Sequence, residues 1–103
     1  MTLAATEWGS GQSTVLLLHG MLGCRQSWWR VARELASRNR RVIALDLPGH
    51  GDSDAEPANS VPRVVELVVE TWKALSSDSP VLAMGHSYGG TVLAAALDQL
   101  ICD

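Results

Sequence analysis

Three runs are apolar at every position: Val15-Leu16-Leu17-Leu18, Val42-Ile43-Ala44-Leu45 and Val81-Leu82-Ala83-Met84. A strand that is apolar on both sides of its pleat is buried on both faces. Between the first two runs, Trp28, Val31, Ala32 and Leu35 recur at helical spacing, with Arg30, Arg33 and Glu34 opposite. This predicts an amphipathic helix near residues 27–37 with Ser27 as its N-cap. Between the second and third runs, Val61, Val64, Val65, Val68, Trp72 and Leu75 line one face of another helix, with Ser60 as cap and Pro62 in the first turn. Its valines lower helix propensity, so packing must support it. Leu3 to Trp8, ahead of the turn Gly9-Ser10-Gly11, reads as an edge strand. Leu47 to Ser60 is a long loop of the kind that carries function or flexibility.

Buried strands alternating with amphipathic helices imply an α/β fold, a parallel sheet with helices on both faces. In such sheets the sites lie at the carboxyl ends of the strands. His19-Gly20 ends the first apolar run, Asp46 the second and Ser87 the third. The 103 residues, 47% hydrophobic and 18% charged, describe one small globular unit. The formal charge of −3 argues against a nucleic-acid partner, and Arg38, Arg40 and Arg41 read as a solvated turn rather than a binding patch. No apolar run reaches the ~20 residues that span a bilayer, and the start of the chain lacks the pattern of a signal peptide, so no membrane partner is expected and the cytoplasm is the default compartment. Cys24 and Cys102 form no Cys-x-x-Cys, so neither a redox motif nor a zinc or other metal site is expected.

The densest chemical signal is Gly85-His86-Ser87-Tyr88-Gly89, followed by Gly90 and the run Thr91 to Leu97. A serine pinned between a buried strand and a helix by small residues has the sequence form of a nucleophile elbow. The turn holds the serine in a strained conformation, and Gly85, Gly89 and Gly90 let strand and helix approach closely. Ser87 is thereby the candidate nucleophile. The Tyr88 N–H, at a helix N-terminus, is aimed where an oxyanion would form.

Taken with Leu17-Leu18-His19-Gly20-Met21 and Asp46-Leu47-Pro48-Gly49-His50-Gly51-Asp52-Ser53, the elbow resembles the N-terminal portion of an α/β-hydrolase-fold protein, in motif order and spacing along nearly the whole chain. The resemblance is to a branch of carboxylesterases, lactonases, haloperoxidase-like esterases and carbon–carbon bond hydrolases, and it implies that no cofactor is needed. Dehalogenases and epoxide hydrolases of this fold have an aspartate where Ser87 stands. The implied activity is therefore hydrolysis of an ester, thioester, lactone or C–C bond next to a carbonyl, through a serine ester. The implied partner is a small acyl or carbonyl substrate. The resemblance also makes the Met21 N–H the second oxyanion donor opposite Tyr88, and gives His19 and Gly20 supporting roles. Met21, Leu22 and Tyr88 are candidates to line an apolar pocket. His50 reads as structural, His86 is expected to point into supporting structure, and Asp46 and Asp52 to brace their loop.

Family chain order is nucleophile, acid, histidine. No histidine follows Ser87, and Asp98 and Asp103 fall within or just after the elbow helix. Unless His19 or His50 is recruited, the chain is expected to lack a positioned base and to be inactive alone. Residues 1–103 thus read as the N-terminal part of a single domain. Its elbow strand is expected to form an open apolar edge that invites self-association. The alternative is a non-catalytic half-domain that binds a ligand or partner.

Overall fold

The computed structural model describes residues 2–53 and 60–101, with only the backbone at Ile101. Four strands, β1 (Ala5–Trp8), β2 (Ser13–Leu18), β3 (Arg40–Leu45) and β4 (Leu82–Gly85), form one sheet in the order β1-β3-β2-β4. β2 pairs in parallel with both β3 and β4, whereas β1 runs antiparallel to β3. The predicted parallel sheet therefore carries one antiparallel edge. Arg41 holds that edge from β3, donating to both Glu7 carboxylate oxygens and to the Leu75 carbonyl. Two arginines expected in a solvated turn, Arg40 and Arg41, instead open β3.

The pleat explains the fully apolar strands. Leu16, Leu18, Ile43 and Leu45 face one core, shared with helices α2 (Val61–Leu75) and α3 (Tyr88–Ile101). Val15, Leu17, Val42 and Ala44 face the other, covered by Ala32, Leu35 and Ala36 of α1 (Trp29–Ala36). β2 and β3 thus bury both sides, as an α/β layer requires, whereas the third apolar run departs from expectation: at the edge of the sheet, Val81 and Leu82 are exposed.

Helix ends follow local chemistry. Ser60 caps α2 by accepting from the Arg63 N–H, and Pro62 sits in the first turn, where a missing N–H costs nothing. The predicted valine face is buried at Val64, Val65, Val68 and Trp72, and Thr71 ties α2 to the N-terminus by accepting from the Leu3 N–H. Ser27 does not cap α1. It lies in a 3-10 turn, Arg25–Trp28, where its hydroxyl accepts from the Cys24 N–H, and α1 starts at Trp29, one residue after its hydrophobic pattern does. Residues 54–59 of the long loop, with Cys102 and Asp103, lie outside the described residues.

The 3-10 turn is placed by a buried carboxylate. Asp46, fully buried at the end of β3, accepts from the Arg25 and Asp52 amides and pairs with the Arg25 guanidinium, which also reaches Thr6 and Asp52. Burial by itself raises the carboxyl pKa, but these donors outweigh it and hold Asp46 below the usual carboxylate range. Such a group binds protons less tightly folded than unfolded. Its stabilisation is complete above the ordinary carboxylate pKa and is lost as pH falls through its lowered value. Removing Arg25 leaves the charge buried with only its amide donors, so Arg25→Ala is expected to cost about 3 kcal/mol in urea unfolding at neutral pH. Its acid unfolding should begin at higher pH than in the parent. An unchanged acid midpoint would show that the pair does not hold the carboxyl down.

Candidate active site

β4 turns into α3 through His86 and Ser87. Ser87 has φ +54°, a left-handed conformation that costs a non-glycine residue about 1–3 kcal/mol. The turn is closed by the Gly89 N–H to the His86 carbonyl and by the Gly90 and Thr91 N–H groups to the Ser87 carbonyl. Ser87 is exposed at the carboxyl end of the sheet, and among the described residues its hydroxyl has no hydrogen-bond partner.

Close backbone approach explains why the turn can form here. A Cβ at position 89 would lie 2.3 Å from the Leu18 carbonyl oxygen and 2.5 Å from that of His19. The first turn of α3 therefore rests directly on the end of β2. Gly85 ends β4 against Gly89 and Gly90, as the motif predicts. A Cβ at Gly20 would lie 3.2 Å from Ser87 Cβ and 2.9 Å from His86 Nδ1, so the bend after β2 runs beside the serine.

Two backbone donors border this bend. The Tyr88 N–H opens α3, where a first-turn amide has no helical acceptor. The Met21 N–H lies in the turn closed by Gly23 N–H to the Gly20 carbonyl. Among the described residues neither has a hydrogen-bond acceptor.

The histidines divide by role. His19 is buried, its Nε2 accepts from the Leu47 N–H at 3.0 Å, and its Nδ1 lies 2.7 Å from the Gly20 carbonyl oxygen. Accepting at Nε2 places the ring hydrogen on Nδ1, so both nitrogens are engaged and the ring joins the loops after β2 and β3. Burial above all pushes its pKa down, with the His50 ring adding to this against the Gly20 hydrogen bond and Asp46. A ring so committed does not serve Ser87 as a base. His50 stacks on it at 4.9 Å between centroids, with Nδ1 3.1 Å from the Pro48 carbonyl oxygen. His86 corrects the expectation from sequence. Rather than pointing into supporting structure it is exposed, because the left-handed turn at Ser87 brings its ring over Gly20.

A cavity of about 370 Å³ adjoins this site, lined by Gly20, Met21, Leu22, Trp28 and His86 among others. Met21 and Leu22 line it as expected, whereas Tyr88 packs against the α2–α3 core instead. Arg25 and His86 are the residues sequence reasoning missed: no periodicity marks Arg25 as the partner of Asp46, and the direction of His86 depends on the turn. Asp98 lies on α3, away from any strand end. Among the described residues no cluster of three or more His, Cys, Asp or Glu could hold a metal ion, and no helix is long and apolar enough to cross a membrane.

The family model described as alpha/beta hydrolase fold matches residues 13–100. The chain belongs to the alpha/beta hydrolase family. The chain is 31% identical over 86 residues to Methylesterase 8 of Arabidopsis thaliana, covering 82% of the chain and 32% of that protein. It is 30% identical over 83 residues to Esterase YbfF of Escherichia coli, covering 81% of the chain and 32% of the esterase. An epoxide hydrolase from Vigna radiata superposes with a TM-score of 0.85 at 28% identity, over 94% of this chain and 32% of the other. The chain thus spans about a third of the length of these relatives.

Two outcomes follow from the geometry. Gly89→Ala drives a methyl into two backbone carbonyls and is expected to destabilise by about 3 kcal/mol, while Gly90→Ala, whose Cβ would make one tight contact at 3.3 Å with the Gly85 carbonyl oxygen, stays within about 1 kcal/mol in the same urea titration. His19 has a lowered folded pKa, so the unfolded chain takes up its proton first as pH falls below the ordinary imidazole range. The stabilisation is complete above that range and is lost below it. The urea midpoint should drop between about pH 7.5 and 5.5, and His19→Asn should lose that part of the slope.

Proposed function

We propose that this chain carries the nucleophile and oxyanion hole of a serine hydrolase, acting on an ester, thioester, lactone or C–C bond next to a carbonyl. The observation that supports the reading is the left-handed Ser87, exposed near two backbone N–H groups that have no acceptor among the described residues. Ser87 Oγ attacks the carbonyl carbon as its proton passes to a base, and the oxyanion is received by the Tyr88 and Met21 amides. Collapse of the tetrahedral adduct breaks the bond to the leaving group, and water then releases the acid by the same route. A serine at this position favours the esterases over the epoxide hydrolases among the relatives, since the latter fold-mates use an aspartate there. Each oxyanion donor supplies about 3 kcal/mol of transition-state stabilisation.

Residues 1–103 act in this reading as the N-terminal part of one domain, in the cytoplasm and without a cofactor. With both nitrogens of His19 engaged and no hydrogen bond at the Ser87 hydroxyl among the described residues, this reading gives the chain alone no base for Ser87 and no activity. Val81 and Leu82, 65% and 37% exposed on the open edge of β4, favour self-association through that edge.

The reading is tested with a fluorophosphonate probe on the 103-residue chain, with imidazole supplied as a free base. Labelling is expected to be near background in buffer, to rise with imidazole, and to map to Ser87 by mass spectrometry. Ser87→Ala should abolish it. Label on another residue, or none at any imidazole concentration in a folded sample, would overturn the assignment.

A further inference from the structure

The turn that carries the Met21 N–H has little of its own to hold it. Leu22 sits at φ +66°, in the left-handed region that a leucine rarely adopts. The Met21 and Leu22 side chains are 63% and 97% exposed, so neither anchors the turn by packing. One hydrogen bond closes it, from the Gly23 N–H to the Gly20 carbonyl at 3.0 Å. A strained segment persists only where its surroundings over-determine it, so the constraint comes from the two flanks. The entry flank is His19, fixed to Leu47.

The exit flank is a chain of contacts that ends at Arg25. A Cβ at Gly23 would stand 3.2 Å from the Ser27 hydroxyl oxygen, so the turn rests against that group. The same hydroxyl accepts from the Cys24 N–H at 3.1 Å, and the Ser27 N–H donates to the Cys24 carbonyl at 2.9 Å. The next amide, that of Arg25, donates to the buried Asp46 carboxylate at 2.6 Å. Its guanidinium then grips three partners: Thr6 Oγ1 on β1 at 2.7 Å, Asp46 at the end of β3, and Asp52 at 3.0 Å in the loop beyond. A planar fork can hold several acceptors at fixed angles, which a single point charge cannot.

We propose that Arg25 is a positioning residue for oxyanion stabilisation: by fixing the exit of the Gly20–Gly23 turn to Asp46, Thr6 and Asp52, it holds the Met21 amide in the orientation that receives the oxyanion. The catalytic consequence rests on the reading of Ser87 as nucleophile and Met21 as donor. Arg25 itself touches no reacting atom. It acts through the backbone, and a donor displaced by about 1 Å can cost as much as about a hundredfold in rate.

Two readouts on the 103-residue chain test this. Backbone amide order is measured by NMR relaxation, and fluorophosphonate labelling of Ser87 with imidazole is followed over a range of probe concentrations. In Arg25→Ala the order parameters of Met21 and Leu22 are expected to fall from about 0.85 to below about 0.6, while those of Tyr88, Gly89 and Gly90 keep their parent values. The maximal labelling rate should drop about tenfold or more, with the half-saturating probe concentration unchanged. Asp52 supplies a milder variant, because its side chain is 76% exposed and its loss leaves no buried charge unpaired. Asp52→Asn therefore tests the idea even if Arg25→Ala unfolds, and should move both readouts in the same direction, the rate by about two- to threefold. A residue that only stabilises the fold would loosen the elbow together with the turn. Unchanged order at Met21 in a folded variant, order lost there with the labelling rate unchanged, or equal loosening of the elbow would each overturn the proposal. If the parent is never labelled, the reading of Ser87 fails and takes the catalytic consequence with it, whereas the relaxation data still decide whether Arg25 holds the turn.

Discussion

The first turn of α3 lies on the backbone of β2, and the arrangement of the carboxyl end of the sheet depends on that contact. Position 89 has carbonyl oxygens of Leu18 and His19 where a side chain would begin. Because the helix comes this close, the chain between β4 and α3 has no room for a relaxed turn, and Ser87 is held at positive φ. Strain of this size persists only when surrounding packing over-determines it. Val92, Ala96 and Leu100 of α3 provide that packing, buried against the same core as α2.

The loops at this end are joined by buried polar groups rather than by apolar contact. His19 links the loop after β2 to Leu47, and Asp46 gathers the amides of Arg25 and Asp52. A hydrogen bond fixes direction where an apolar contact does not, so these groups set how the loops lie against one another. Each group is costly if left half-satisfied, which makes these loops sensitive to loss of one partner. The Ser53 hydroxyl extends the set, donating to the Asp46 carbonyl and accepting from the Ala4 N–H.

Under the proposed reading, electrostatic stabilisation and base catalysis are separable here. The oxyanion donors and the strained serine come from local turns. The base must come from a group placed across space. A hydroxyl with donors arranged around it but no base remains a weak nucleophile at neutral pH. The cavity is equally local, since all its named walls lie in the turns after β2 and β4 and in the 3-10 turn that Asp46 positions.

Much of the fold was legible along the chain. The apolar runs of β2 and β3 identify buried strands because both faces of the pleat must be satisfied, while the run of β4 lies on the sheet edge and is exposed at Val81 and Leu82, and the valine pattern of α2 marks its buried side. The elbow was legible because its glycines and serine cluster within five residues, although the contact that requires Gly89 comes from Leu18 and His19 at the end of β2. Other features were set only in three dimensions. The antiparallel direction of β1, the pairing of Arg25 with Asp46 across 21 residues and the engagement of both His19 nitrogens depend on partners distant in sequence. The exposure of His86 over Gly20 and the burial of Trp28 Nε1 without a partner among the described residues likewise follow from how loops close. Sequence determined which residues lie inside and where the chain bends, because periodicity and backbone sterics act locally. Tertiary structure decided which polar atoms remain free to meet a ligand, because that depends on every neighbour at once.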